Sequence, residues 1–225
     1  PRVAILVTGS EYDPAAGVAP SNGVMLAGLV DEAGGAVSRL GSCPDDERII
    51  ARALLESLPC DLVLTSGGTG RSAADRMTAA LGLAGAEPLF RGLAVRPGHT
   101  TLAAHLGGCP VVALPGTPAA AALVFELLVR PVLRRLQGRT SEPETWELPL
   151  TAGIPAGRPG RRMVWGRLCR TGASVAVEPL LGPAVGPTLA AALGDVLLDL
   201  PDGGHPTPPG SPVAVLVANP YPVIR

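Results

Sequence analysis

The residues best placed to do chemistry are the eleven from Thr65 to Asp75, T-S-G-G-T-G-R-S-A-A-D. Gly67, Gly68 and Gly70 let the backbone reach positive φ, so amide groups can approach an oxyanion closely. A helix starting just beyond them adds the partial positive charge of its N-terminus. Ser66 and Thr69 bring hydroxyl donors. The loop has neither the Lys-Ser/Thr of a P-loop nor the G-x-G-x-x-G of a dinucleotide site. Its residues alone describe either an anion cradle at a helix start or a tight turn. Asp75 reads either as a carboxylate favouring the helix dipole or as a magnesium ligand.

Other loops carry groups that could share this site. Glu11 follows the first apolar run, and Asp45 and Asp46 follow the second. Carboxylates on neighbouring loops beside a phosphate cradle form a hard-cation site, whereas each alone is an ordinary surface acid. Asn22 either caps a helix or hydrogen-bonds a ligand. Arg96, Pro97, Gly98 and His99 present a guanidinium and an imidazole across a Pro-Gly turn, a clamp for an oxyanion or a solvated loop. Pro115, Gly116, Thr117 and Pro118 form a second turn, offering a hydroxyl and backbone amides ahead of a long helix. His105 and His205 read as structural.

The elements that must position these residues follow from hydrophobic period and turn punctuation. R-V-A-I-L-V-T-G-S-E, A-V-S-R-L-G-S-C, C-D-L-V-L-T-S-G and P-V-V-A-L-P-G read as strands, with L-F-R-G-L-A-V as a further one. Helices are expected over S-N-G-V-M-L-A-G-L-V-D-E-A-G-G, with Gly34 and Gly35 as its stop, over P-D-D-E-R-I-I-A-R-A-L-L-E-S-L and over A-A-D-R-M-T-A-A-L-G-L-A-G. A long helix follows Thr117, with a kink expected at Pro131. T-L-A-A-H-L-G-G-C-P reads as a weak helix or turn. Alternating strands and helices with short connections predict a doubly wound, mostly parallel α/β domain over residues 1–140. Ligands of such sheets lie outside the carboxyl ends of the strands, where the loops at Glu11, Asp45, Thr65 and Pro115 fall. Residues 146–225 are short alternating segments broken by Gly and Pro, with one short helix at G-P-T-L-A-A-A-L, and predict a small β-barrel-like domain.

With 47% hydrophobic residues in 225, the chain can bury a sizeable core, and its net charge of -1 offers no surface for nucleic acid. All 18 basic residues are arginine, which removes Schiff-base chemistry. The four cysteines show no C-x-x-C spacing and read as reduced, packed thiols of a cytoplasmic protein. No apolar run reaches membrane-spanning length and no signal-peptide pattern opens the chain.

In order, T-G-S-E, S-N, P-D-D, T-S-G-G-T-G with Asp75, R-P-G, L-P-G-T-P and R-P-V-L resemble the molybdopterin-binding (MoCF-type) domain over about residues 3 to 138. The β region that follows resembles the C-terminal domain of MoeA-type molybdopterin molybdenumtransferases. The resemblance implies that Pro1 starts where the family's additional N-terminal domains would end. It implies binding of adenylylated molybdopterin with Mg2+, insertion of molybdate as substrate, and release of AMP. It implies Glu11, Asp45 and Asp75 as the acids positioning magnesium and the phosphoanhydride, with Arg96 as a catalytic cation. It implies Gly67, Gly68 and Thr69 at the phosphate or pterin, with Asn22 and the Pro115–Pro118 turn lining the pocket. It further implies a homodimer in the full-length protein and contact with the adenylyltransferase, with no nucleic acid and no membrane. Three departures stand out. Arg96 and His99 replace the two lysines of K-P-G-K-P, Thr117 replaces the Asn of L-P-G-N-P, and G-G-T-G replaces G-G-V-S-V-G. The last is the loop of the molybdopterin adenylyltransferase branch, so that activity, and a non-catalytic molybdopterin-binding carrier, are the alternative readings.

Overall fold

The computed structural model describes residues 1–9, 21–67, 71–182 and 184–218, the side chains of 71–75 excepted. The chain forms two compact units, residues 1–93 with 98–141 and residues 94–97 with 142–225.

The first unit is built on a six-stranded sheet of order β2-β1-β3-β6-β5-β4. Its strands are β1 (Arg2–Thr8), β2 (Ala36–Cys43), β3 (Leu62–Ser66), β4 (Glu87–Arg91), β5 (Leu102–Leu106) and β6 (Cys109–Leu114). β2, β1, β3 and β6 run parallel, while β5 and β4 pair antiparallel at one side. The central strands are apolar throughout because both faces are covered. On one face Val3, Ile5, Leu62 and Leu64 pack under Leu26 and Val30 of α1 (Ser21–Glu32), with Phe125, Val129 and Leu133 beside them. On the other, Ala4, Leu6 and Val63 meet Ile50 and Leu54 of α2 (Glu47–Glu56) and Met77 and Ala80 of α3 (Arg71–Leu83). The period of two along each strand sends alternate residues to these two cores.

Two segments depart from the sequence reading. T-L-A-A-H-L-G-G-C-P is not a helix or turn; it carries β5, joined to β6 by a two-residue loop in which Gly107 and Gly108 have φ of 57° and 81°. Two successive positive φ values are what a tight hairpin of matching twist requires, and they outweigh the helical preference of Leu-Ala-Ala. The long helix is not simply kinked at Pro131. It runs as α4 (Pro118–Val124), a π-helical turn over Phe125–Val129, and α5 (Arg130–Leu136). Pro131 has no N–H to donate and crowds the preceding turn; a wider turn just upstream accommodates it.

The second unit is a five-stranded antiparallel sheet of order β7-β11-β10-β8-β9. Its strands are β7 (Thr145–Pro149), β8 (Arg162–Thr171), β9 (Ser174–Pro179), β10 (Val196–Leu200) and β11 (Pro212–Val217), with α6 (Pro187–Leu193) between β9 and β10. A bridge between Leu150 and Val177 joins the two ends of the sheet and curls it around Val164, Leu168, Leu198 and Val215. Gly166 permits this curl, since a Cβ there would stand 2.2 Å from Leu198 Cδ1. Residues 94–97 belong to this unit through Arg96, whose N–H donates to the Arg161 carbonyl at 3.0 Å and whose carbonyl accepts from Met163 N–H at 2.9 Å. Among the described residues, no helix is long and apolar enough to cross a membrane.

Candidate functional site

The carboxyl ends of the parallel strands converge as the topology requires. Register sets Thr8 of β1 beside Cys43 of β2, Val7 beside Ser66 of β3, and Ser66 beside Leu114 of β6. Four strands therefore end in a row, and the loop after each carries residues singled out from the sequence.

The wall of the site is a close approach of two loops. Gly67 follows β3 with φ of 97°, and a Cβ there would stand 2.0 Å from the Thr8 carbonyl oxygen. Any side chain would push β1 and β3 apart at their ends, so glycine is required on both conformational and steric grounds. A Cβ on Gly116, after β6, would meet the Gly67 Cα at 3.4 Å. Asn22, in the first turn of α1 and 5% exposed, fastens this contact. Its Nδ2 donates to Ser66 Oγ at 2.9 Å and to the Gly116 carbonyl at 2.7 Å. Ser66 Oγ in turn donates to the Pro115 carbonyl at 3.3 Å. Asn22 is thus a cross-link between the β3 and β6 loops rather than a cap of its own helix. The Ser66 hydroxyl, fully buried, is engaged inside the wall. Since the Gly116 carbonyl can only accept, the amide orientation is fixed, and it leaves Asn22 Oδ1 buried without a hydrogen-bond partner. Thr8 Oγ1 is a second buried atom without one. Unsatisfied polar atoms at a strand-end rim are free to meet a ligand.

Asp45 and Asp46 part company. The Asp46 carboxylate caps α2, accepting from the N–H groups of Arg48 and Ile49 at 3.0 Å each. Asp45 faces Arg76 of α3, whose guanidinium lies 3.5 Å from Oδ2. Asp45 Oδ1 and Arg76 Nε are both buried and unpartnered. Arg76 received no role in the sequence reading, although it adjoins Asp75. Burial, then the charge of Asp45, pushes the neighbouring Cys43 thiol up to about 11. A hard oxygen donor left free at a strand end suits a divalent cation, the chemistry that the sequence resemblance implies for Asp45. Among the described residues, no three His, Cys, Asp or Glu side chains converge on a metal position. Glu11, Gly68, Thr69 and Gly70 lie outside the described residues, as does the side chain of Asp75, whose backbone sits in the second turn of α3.

Thr117 precedes α4 with an exposed side chain that makes no cap hydrogen bond, and Pro118 opens the helix. Arg96 and Pro97 stand in the second unit and Gly98 and His99 in the first. Arg96 and His99 are both exposed. Thr101 fixes this turn from the first unit, its N–H and Oγ1 donating to the Gly98 carbonyl at 3.0 and 2.7 Å.

Fold and rim together define a doubly wound ligand-binding domain followed by a curled antiparallel sheet. A family model described as a probable molybdopterin-binding domain matches residues 4–135, more than half of the chain, and the chain belongs to that family. The order of its two units is of the MoeA type. The chain is 27% identical over 227 residues to a molybdopterin molybdenumtransferase of Staphylococcus aureus, covering 97% of this chain and 54% of that protein. It is 35% identical over 152 residues to molybdopterin molybdenumtransferase 2 of Mycobacterium tuberculosis, covering 61% of this chain and 37% of that one. The structure of a molybdopterin biosynthesis MoeA protein from Pyrococcus horikoshii superposes with a TM-score of 0.81 at 25% identity, covering 98% of this chain and 55% of that one. The chain thus spans about half the length, or less, of these three relatives.

Proposed function

We propose that this chain acts in molybdenum cofactor biosynthesis as a molybdopterin molybdenumtransferase, or as the ligand-binding part of one. The observation that carries the reading is likeness along both units, 97% of the chain, to a protein of that name. The strand-end rim supports it. A pterin or adenine ring carries N–H donors that the free Asn22 Oδ1 can accept, and the Gly67–Gly116 wall lets a bulky ligand lie against backbone. Adenylylated molybdopterin would sit along this rim, with Gly68, Thr69 and Gly70 at its phosphates and the Pro115–Pro118 turn beside its rings. Asp45, with Glu11 and Asp75, would hold magnesium, which supplies charge neutralisation at the phosphoanhydride. Arg76 holds Asp45 in place and offers Nε to an oxyanion. Arg96 and His99 stand where the family carries lysines and would serve molybdate, the second substrate. The protein works downstream of an adenylyltransferase and, in full-length form, as a homodimer.

The test is AMP release from adenylylated molybdopterin, measured with and without molybdate and magnesium. The expected result is release that needs both and falls about 10²-fold or more in Asp45→Asn, the scale of losing an electrostatic group at a reacting phosphate. Bound ligand with no AMP release rejects the reading, and adenylylated product formed from ATP and molybdopterin would assign the adenylyltransferase activity instead.

A further inference from the structure

The opposite ends of the same strands hold a second set of reactive groups. Parallel pairing of β3 with β6 sets Val63 beside Val111. Followed back toward the strand starts, that register places Asp61 level with Cys109 and Cys60 one residue beyond. Strands about 4.8 Å apart with a rise of about 3.3 Å per residue give this diagonal a Cα separation of about 6 Å, within the range a disulfide spans. The two sulfurs face each other at 3.6 Å. Cys109 is buried and Cys60 half-buried, so Cys60 is the more exposed of the pair. Cys43 and Cys169, also free, lie elsewhere, at the end of β2 and in β8.

We propose that Cys60 and Cys109 are a peroxide-sensitive dithiol, a modification site that closes to a disulfide and fastens β3 to β6 at the end remote from the ligand rim. The Cys60 thiolate attacks the O–O bond of a hydroperoxide, keeps one oxygen as a sulfenic acid and releases the alcohol, or water where the oxidant is hydrogen peroxide. The Cys109 sulfur then displaces that oxygen from Cys60, and the Cys109 proton leaves with it as water. Two electrons pass from the two sulfurs to one hydroperoxide. Burial, then the hydrogen bond with Cys60, pushes the Cys109 thiol up to about 12, which disfavours it as the first nucleophile and leaves first attack to the less buried Cys60. The closed loop contains the 65–75 segment, so the cross-link constrains the chain that bears one wall of the site.

The experiment treats the native wild-type chain with hydrogen peroxide, blocks free thiols by alkylation, and maps peptides by mass spectrometry without reduction. The expected result is a Cys60–Cys109 linked peptide two hydrogens lighter than its parts, with Cys43 and Cys169 alkylated. The oxidised protein should melt roughly 5–10 °C higher, as a loop of this size implies, and dithiothreitol should reverse the shift. In Cys109→Ser, dimedone should trap a sulfenic acid at Cys60. Cys60 and Cys109 both alkylated after peroxide, Cys60 driven to the sulfinic acid without a link, or a link formed only in denaturant would each overturn the proposal.

Discussion

Two arginine–carboxylate pairs in the α/β unit use the same groups to different ends. Arg130, at the π-helical turn, donates through Nε and a terminal nitrogen to both oxygens of Glu126, and reaches Glu32 at 3.0 Å. Both Arg130 and Glu126 are buried. Burial works against the Arg130 charge, but the Glu126 hydrogen bond and charge outweigh it and hold the guanidinium above its ordinary range. Burial also lifts the Glu126 carboxyl, against the pull of Arg130. These directions oppose each other, and the doubly bonded geometry favours the ionised pair at neutral pH. Arg76 and Asp45, by contrast, touch once at 3.5 Å and leave Nε and Oδ1 unpartnered. A pair with every group satisfied is closed and structural. A pair with a donor and an acceptor left over is open, and it stands at the strand ends, where open α/β sheets as a class bind ligands.

The largest test of that contrast is at the rim itself. Gly67→Ala places a methyl 2.0 Å from a backbone oxygen at a positive φ. It should cost about 3 kcal/mol or more in chemical denaturation and abolish ligand binding measured by calorimetry. Normal affinity would mean that the Gly67 wall is not part of the site. Next in size, Arg130→Met leaves Glu126 buried without its partner and should cost about 3–5 kcal/mol. Ligand affinity, measured where the variant is still folded, should not change. A variant that loses binding but keeps its stability would reverse the roles of the two pairs. Third, at the opposite strand ends, a Cys109 thiol held protonated up to about 12 makes the folded state retain a proton that the unfolded chain releases near 9. Stability must therefore fall as pH rises between those values, by at most about 1.4 kcal/mol per unit. Cys109→Ala should flatten that slope in denaturation series run from pH 8 to 11.

The sheet was legible because its strands are covered on both faces: runs such as Ile5–Val7 and Leu62–Leu64 can only be buried. The two turns of the rim were legible through their glycines, Gly67 after β3 and Gly116 after β6. Partnerships across the fold were not. Nothing local to Asn22 says that its amide crosses to Ser66 and Gly116, 44 and 94 residues away in the chain. Arg76 was passed over because its contact, Asp45, lies 31 residues earlier. β5 was misread because Leu-Ala-Ala favours a helix, although Gly107-Gly108 carried the hairpin signal. The π-helical turn has no signal beyond Pro131 itself.

The finest discrimination between the open and closed pairs comes from Arg76→Met. The Arg76 side chain is 37% exposed and its contact is long, so its removal should change stability by less than about 1 kcal/mol and Tm by a few degrees at most. Its effect should appear in ligand and cation dependence instead. Without the guanidinium, Asp45 loses its internal counter-charge, and magnesium, if it binds there, gains a freer carboxylate. The half-saturating magnesium concentration should then fall several-fold, while ligand affinity measured in chelator should weaken because Nε no longer meets an oxyanion. Arg76→Lys keeps the charge but loses the fork, so it should restore the magnesium dependence without restoring affinity in chelator. Should Arg76→Met instead lower Tm by many degrees and leave both dependences alone, Asp45 and Arg76 would be a second structural pair, and the open chemistry at this rim would rest on Asn22 and the glycine wall.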